Sequence, residues 1–164
     1  MSVHRVSCHC GAVEIEMTLE QPLEEALKGA HRCDCSFCRR RQAANIGVPL
    51  AALRIVKGTE NLTLYQFNTG TAEHYFCQTC GIYTHHRRRS KPNEFGVNIG
   101  AIESVNPADL GPLPWFDGVN HPSDRAVNPA QVGLKIHAAG RLALIAPRDG
   151  QQVIGIQPGQ ALGE

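Results

Sequence analysis

Cys8-His9-Cys10-Gly11 and Cys77-Gln78-Thr79-Cys80-Gly81 are two short cysteine pairs that stand far apart in the chain. In a Cys-x-Cys or Cys-x-x-Cys turn, both sulfurs can reach one metal ion at about 2.3 Å, so a close pair tends to act as a unit. Gly81 permits the positive φ that a tight metal-binding turn often needs. A metal shared by the two pairs would close a long loop, where a cross-link contributes most in principle.

A third cluster, Cys33-Asp34-Cys35-Ser36-Phe37-Cys38, brings the number of cysteines to seven. Groups of two, three and two divide naturally into one set of four ligands and one set of three. Four thiolates form a closed, structural zinc site, whereas three protein ligands leave one position open for chemistry. We therefore predict two Zn²⁺ ions per chain: a structural zinc held by Cys8, Cys10, Cys77 and Cys80, and a catalytic zinc held by Cys33, Cys35 and Cys38.

The charge of the three-cysteine cluster favours thiol chemistry over hydrolysis. Three thiolates and one Zn²⁺ carry a net charge of −1, which makes the ion a weaker Lewis acid than three neutral imidazoles would. Such a site is better suited to holding an incoming soft ligand, for example a substrate thiol that binds as thiolate.

Other arrangements of the cysteines remain open on the sequence alone. All seven could lie in structural sites, with a histidine completing the second; the nearby histidines are His31, His74, His85 and His86. The triplet could also share ions with the two pairs, or remain reduced and metal-free. A thiol-based redox or metal-buffering protein would use the same residues and would lose zinc readily.

Composition limits the class of protein. The 164-residue chain has 42% hydrophobic and 19% charged residues, which is typical of a single globular domain. Its formal net charge of +1 argues against a nucleic-acid binder. We find no apolar run near the roughly 20 residues of a membrane span, and Met1–Arg5 lacks the apolar stretch of a signal peptide. We expect a cytoplasmic protein, where grouped cysteines bind metals more often than they form disulfides.

Hydrophobic periodicity predicts a mainly antiparallel β architecture with short helical turns. Apolar and polar residues alternate over Val13–Leu19, the pattern of a half-buried strand. Turn residues separate further strand-like runs, which are Asn45–Pro49, Leu53–Lys57, Asn61–Phe67, Thr71–Phe76, Gly81–His86 and Phe95–Ile99. Short helical turns are predicted at Leu23–Leu27 and around Pro49–Leu53.

The region after Ser104 reads as an irregular C-terminal layer. Asn106–Pro129 is rich in proline, and we expect Trp115-Phe116 to anchor it against the body of the protein. We assign residues 1–137 to one zinc-binding domain and residues 138–164 to a tail, in which Arg141–Ala146 and Gln152–Ile156 could form a hairpin.

Three motifs together resemble one known family. Cys8-His9-Cys10-Gly11, Cys33-Asp34-Cys35-Ser36-Phe37-Cys38-Arg39 and Phe76-Cys77-Gln78-Thr79-Cys80-Gly81 are similar to the signatures of the glutathione-dependent formaldehyde-activating enzymes. The resemblance covers roughly Val3 to Ile102. That family shares its domain with an animal centromere protein and has an Mss4-like antiparallel β fold, which bound zinc would cross-link here.

The resemblance implies an activity and a set of partners. It implies a carbon–sulfur lyase that joins glutathione to formaldehyde as S-hydroxymethylglutathione, with the catalytic zinc at the triplet. The partners would be a small-molecule thiol such as glutathione and an aldehyde. The alternative is a non-catalytic, zinc-stabilised binding module like the centromere-protein or Mss4-type relatives. The family often has His or Asn where Asp34 stands, an extra anion that Arg32 or Arg39 would have to offset.

Two arginine runs are further candidates for the site. Arg39-Arg40-Arg41 follows the triplet, and Arg87-Arg88-Arg89 follows a predicted strand. Guanidinium groups bind carboxylates bidentately, and glutathione carries two carboxylates. We predict Arg39 as a substrate carboxylate clamp because it adjoins the triplet. His85-His86 lies on a predicted strand, so at most one of the two side chains can face a pocket.

Overall fold

A computed structural model describes residues 1–121. It is a mainly β structure with few, short helices. The predicted hairpin Arg141–Ala146/Gln152–Ile156 and the predicted boundary at residue 137 lie outside the described residues. None of the helices in the described part is long and apolar enough to cross a membrane.

Ten strands and two short α-helices make up the described chain. The strands are β1 (Ser2–Ser7), β2 (Glu14–Leu19), β3 (Arg32–Cys33), β4 (Asn45–Pro49), β5 (Leu53–Lys57), β6 (Leu62–Tyr65), β7 (Glu73–Cys77), β8 (Tyr83–Arg87), β9 (Glu94–Asn98) and β10 (Trp115–Phe116). The helices are α1 (Leu23–Leu27) and α2 (Cys38–Arg41). Single 3-10 turns lie at Leu50–Ala52, Thr59–Asn61, Ile99–Ala101 and Pro107–Leu110.

Two antiparallel sheets enclose the core. One has five strands in the order β4-β9-β8-β7-β6, and the other has three in the order β1-β2-β5. An isolated antiparallel bridge pairs Val6 of β1 with Ile102, which follows β9 of the five-stranded sheet. The buried apolar side chains form one cluster, which includes Val6, Val13, Ile15, Met17, Leu19, Ala44, Ile46, Val48, Val97, Ile99 and Ile102.

A separate two-residue parallel pair brings the later part of the chain to the triplet. Trp115 pairs with Arg32, and Phe116 pairs with Cys33. Trp115 and Phe116 are about half exposed, but Phe116 packs on His31 with ring centroids 4.3 Å apart. The aromatic pair therefore contacts the body as predicted, through strand pairing rather than through burial.

Among the strands and α-helices, the sequence predicted most and missed β1, β3, β10 and α2. The bounds of β4, β5 and α1 match the predicted ranges. β1 was missed because it lacks an apolar alternation: Val3 is 63% exposed while Val6 is fully buried. α2 was missed because four residues, three of them arginine, are too few to show a helical period.

Candidate metal centres and the adjoining cavity

Cys8, Cys10, Cys77 and Cys80 come together in space. Their sulfur atoms all lie within 4.8 Å of one another. The Cys8–Cys10 and Cys10–Cys77 Sγ separations are 3.6 Å and 3.7 Å. A tetrahedron with metal–sulfur distances of 2.3 Å has edges of about 3.8 Å. The four sulfurs therefore fit a tetrahedral ion such as zinc.

Two tight turns position these sulfurs. Gly11 and Gly81 follow the pairs with φ of 72° and 71°, in the left-handed region that glycine adopts without strain. Cys8 and Cys77 are buried, whereas Cys10 is exposed. Burial acts to raise the pKa of the Cys80 thiol, but hydrogen bonds from the amides of Ile82 and Cys10 outweigh it and hold the pKa at about 6. Cys80 is thus held as thiolate, the form that binds metal.

The four-cysteine cluster connects the two main sheets. Cys8 and Cys10 lie in the turn between β1 and β2 of the three-stranded sheet, and Cys77 and Cys80 lie at the turn between β7 and β8 of the five-stranded sheet. An ion bound here would cross-link two hairpin turns, one from each sheet.

The triplet forms a second, smaller cluster. The sulfur atoms of Cys33, Cys35 and Cys38 lie within 4.8 Å of one another. No histidine, aspartate, glutamate or further cysteine of residues 1–121 adds a fourth ligand atom to this group. The cluster can thus hold an ion through three thiolates with one position open.

Local structure sets the arrangement of the triplet. Cys33 ends β3 and Cys38 begins α2, so a sharp turn carries Cys35 between them. Hydrogen bonds from the neighbouring thiols of Cys33 and Cys38 lower the pKa of Cys35 far below its usual range. The interactions with Cys33 and Cys35, followed by burial, raise the pKa of Cys38. Cys35 thus takes negative charge more readily than Cys38, whereas a metal ion binds all three sulfurs as thiolates.

The triplet opens into a cavity of about 460 Å³. One wall is the turn between β6 and β7, another is the five-stranded sheet, and a third is the segment that follows β10. Side chains that line it include Phe67, Asn68 and Thr69 from the turn, His74 and His86 from the sheet, and Phe116, Asp117, Val119 and His121 from the last segment. This volume suits a small-molecule ligand.

The cavity has a cationic rim. Arg39, Arg88 and Arg89 line it, and Arg39 is exposed at the start of α2. Arg88 already forms a 2.5 Å ion pair with Glu94. Arg87 points elsewhere and donates a hydrogen bond to the carbonyl of Pro92. Both predicted arginine runs thus contribute to the cavity, although not with every member.

Asp34 and Gly118 hold the last segment over the triplet. The Asp34 carboxylate accepts hydrogen bonds from the amides of Gly118 and Val119 at 2.6 and 3.2 Å. A Cβ at position 118 would lie 2.3 Å from the Sγ of Cys33, so only glycine fits here without displacing that sulfur. Asp34 meets backbone amides, and neither Arg32 nor Arg39 forms an ion pair with it in the described part of the chain.

The predicted histidines separate as expected from their strand. His86 lines the cavity, whereas His85 packs against Tyr75 and Phe95, with ring centroids 4.7 and 5.2 Å away. His31 lies in the cavity wall against Phe116 and, like His74, His85 and His86, contributes no ligand atom to either cysteine cluster.

A cluster behind the triplet was not predicted from the sequence. Arg41, the last residue of α2, lies between Cys38 and the rings of Tyr83 and His74. Its side chain is three residues from Cys38, the spacing at which two helical side chains meet. That spacing was the available signal, but it has meaning only once α2 is known to be a helix.

Comparison with known proteins places this arrangement in a family. The sequence profile of the glutathione-dependent formaldehyde-activating enzymes matches residues 3–113. The chain belongs to this family. It is 32% identical over 83 residues to a Halomonas elongata protein that bears the same enzyme name as a provisional designation. That match spans 45% of this chain and 49% of the relative, so the chain spans about half the length of the relative it matches.

A solved structure supports the fold. A crystal structure of a Rhodobacter sphaeroides protein is 59% identical to this chain, with a TM-score of 0.64, and the match covers 68% of this chain and 99% of that one. The formaldehyde-activating family profile includes all seven cysteines but ends at residue 113. Phe116, Asp117, Gly118, Val119 and His121, which line the cavity, therefore lie beyond the segment that defines the family.

Proposed function

We propose that the protein is a zinc-dependent carbon–sulfur lyase that forms or cleaves S-hydroxymethylglutathione or a related thiol–aldehyde adduct. The observation that carries this proposal is the three-cysteine cluster, which has no fourth ligand among residues 1–121 and opens into a cavity with arginines at its rim. Cys33, Cys35 and Cys38 are the ligands we assign to the catalytic zinc. Cys8, Cys10, Cys77 and Cys80 are those we assign to the structural zinc.

The reaction needs no oxidant. The thiol sulfur adds to the aldehyde carbon, a C–S bond forms, the carbonyl π pair moves to oxygen, and the proton leaves sulfur and ends on that oxygen. A zinc ion at the triplet supplies Lewis acidity that favours the thiolate form of the incoming thiol. The reverse direction returns the proton and releases thiol and aldehyde.

Arg39 is the residue we assign to a substrate carboxylate. Its side chain is exposed at the rim, immediately after the last cysteine of the triplet. A guanidinium at this place can bind a carboxylate bidentately while the thiol reaches toward the cysteines. Arg88 is a weaker candidate because Glu94 already pairs with it.

We assign His74 the role of hydrogen-bond donor to the aldehyde oxygen. Burial, and then the Arg41 guanidinium, lower the pKa of His74 to about 4, so its imidazole is neutral near pH 7. Arg41 can only donate, so the Nδ1 of His74 accepts from it at 3.3 Å and the ring proton lies on Nε2. An Nε2–H in the cavity wall is a hydrogen-bond donor suited to an oxygen that gains negative charge.

The test uses purified protein with two bound zinc ions. Exchange between glutathione, formaldehyde and their adduct is followed by NMR, with spontaneous formation of the adduct as the baseline, and glutathione binding is measured by calorimetry. We expect faster exchange than the baseline, and Cys35→Ser should abolish the increase. Protein with two zincs that neither binds a low-molecular-weight thiol nor changes the exchange rate would refute the proposal and favour a non-catalytic binding module.

A further inference from the structure

Arg41 places a positive charge directly beside the triplet. Its Nη2 donates to the Sγ of Cys38 at 3.4 Å. Its guanidinium carbon lies 3.5 Å from the ring centroid of Tyr83 and 4.8 Å from that of Phe37. These rings leave the group little freedom, and its Nε is buried without a hydrogen-bond partner in the described structure.

Arg41 has no carboxylate partner among residues 1–121. The ion pairs in that part of the chain involve other cations, such as Arg88 with Glu94 and Arg54 with Glu16. The π faces of Tyr83 and Phe37 offset part of the hydration that the guanidinium loses, and an anion in contact with it would offset more. The anion within reach of Arg41 is the sulfur of Cys38 when it is a thiolate.

We propose that Arg41 is a positioning residue whose guanidinium is the counter-charge of the three-cysteine metal site, holding Cys38 as a thiolate on the ion. Three thiolates with a divalent ion carry −1, and the guanidinium brings the total to zero. A hydrogen bond from a guanidinium to a metal-bound thiolate is charge-assisted and stronger than one between neutral groups, so Arg41 favours the metal-bound state.

The neighbouring arginines are placed for other contacts. Arg32 donates to the carbonyl of Gln42 and lies 5.8 Å from the ring centroid of Trp115. Arg40 is exposed and donates to the carbonyl of Ser36. Arg39 lies at the cavity rim. In the described structure, Arg41 is the arginine with a hydrogen bond to a triplet sulfur.

The test is metal competition on the full chain loaded with two Co²⁺ ions, which report thiolate ligands through their sulfur-to-metal charge-transfer bands. A chromophoric chelator is titrated in, and the four-cysteine ion is the internal reference for folding. Arg41→Met should lower the affinity of the triplet for its Co²⁺ ion, the second cobalt, roughly 10- to 100-fold, which is the usual effect of removing a group that supports a metal ligand. Arg41→Lys, which keeps the charge, should recover most of that loss, and Arg40→Met should leave both ions as in the wild type.

Arg41→Gln separates charge from hydrogen bonding, because glutamine keeps a donor without a charge, and it is also a second variant should methionine disturb folding. It should behave like Arg41→Met and lose charge-transfer intensity from the second cobalt. Unchanged affinity in Arg41→Gln, or equal losses in the lysine and glutamine variants, would overturn the inference. The inference rests on the proposed function only in taking the triplet as a metal site: a wild-type protein that binds one cobalt would refute that site itself, which is a different result.

Discussion

The main-chain amide of Gly118 donates a 2.6 Å hydrogen bond to the carboxylate of Asp34, which lies 84 positions earlier in the chain. Asp34 stands between Cys33 and Cys35, and a Cβ at position 118 would lie 2.3 Å from the sulfur of Cys33. The pair therefore fixes the segment after β10 to the metal-binding cluster. Any change in this contact should alter the metal site and the cavity together.

Replacing Asp34 should release this segment. Hydrogen bonds to a charged acceptor contribute about 1.5–3 kcal/mol each, and Asp34→Ala removes two of them. Asp34→Asn keeps an acceptor oxygen and should retain most of the contact. Trp115 is the chain's single tryptophan, so a red shift of its emission in the alanine variant, absent in the asparagine variant, is the expected result. Equal spectra for both variants would contradict this role of Asp34.

Gly118→Ala should disturb the second metal site selectively. The new Cβ would lie 2.3 Å from the Sγ of Cys33 and 2.9 Å from the Cβ of Cys35, so two ligands must move. We expect at least a ~10-fold loss in affinity for the second ion, in line with other changes to groups around metal ligands. Gly100→Ala is the matched control, because its Cβ would meet neighbours at an ordinary 3.5 Å. The metal content of the two variants after dialysis against a chelator tests this prediction.

The two cysteine clusters should respond differently to mutation. Cys10→Ser removes a ligand between two sheets and should lower the free energy of unfolding substantially, because the binding energy of a structural zinc is folding energy. Cys35→Ser should leave the far-ultraviolet circular dichroism spectrum nearly unchanged and remove one of the two bound zincs. Equal destabilisation by the two variants, measured by urea unfolding, would rule out this division of roles.

Arg39→Met should weaken the binding of glutathione and leave the binding of thiols without a carboxylate unchanged. Loss of one charge-assisted hydrogen bond corresponds to about a tenfold change in dissociation constant. Calorimetry on zinc-loaded protein should show that loss for glutathione and none for 2-mercaptoethanol. Arg40→Met serves as the control on the same helix. A parallel loss for both thiols would mean that Arg39 acts on the triplet rather than on the substrate.

Stability should decline in mild acid through a histidine remote from both cysteine clusters. Burial lowers the pKa of His85 to about 4 from its ordinary 6.5. Between about pH 6.5 and pH 4, His85 is protonated in the unfolded chain but not in the native chain. The free energy of unfolding therefore falls as the pH drops through this range. His85→Phe keeps the stack on Tyr75 and should reduce that fall by up to about 3 kcal/mol.

Urea unfolding of the wild type and of His85→Phe at matched pH isolates this contribution. Release of metal in acid affects both proteins, so only the difference between them reports on the histidine. Parallel curves from pH 6.5 to 4.5 would show that His85 takes up its proton equally in the native and unfolded chains.

Local pattern was sufficient for much of the fold and for both cysteine clusters. The cysteines fall in groups of two, three and two, and this count favoured the sets of four and three sulfurs that lie close together in the structure, although the sequence left other partitions open. Turn residues on either side of short strand-like runs predicted the bounds of β4 and β5, although β4 is mostly buried and β5 is exposed from Arg54 to Lys57. The opposite orientations of His85 and His86 followed from the period of a strand.

Contacts between distant segments could not be read from the sequence. The pairing of β3 with β10 involves two residues on each side, which is too short for any periodic signal. The position of Gly118 over Cys33 depends on that pairing. Arg41 resembles its neighbours Arg39 and Arg40 in sequence, and only the direction of α2 separates a rim residue from one beside the triplet.

The turn between β6 and β7 forms one cavity wall while standing outside the strand ladder. Phe67, Asn68 and Thr69 belong to it, and the pairing of β6 with β7 ends at Tyr65 and His74. Doubling the length of such a loop costs only about 0.6 kcal/mol in closure entropy. Insertions here would leave every strand register and every cysteine in place. A change in the length of this one surface turn would therefore reshape the cavity beside the triplet while the rest of the fold stays the same.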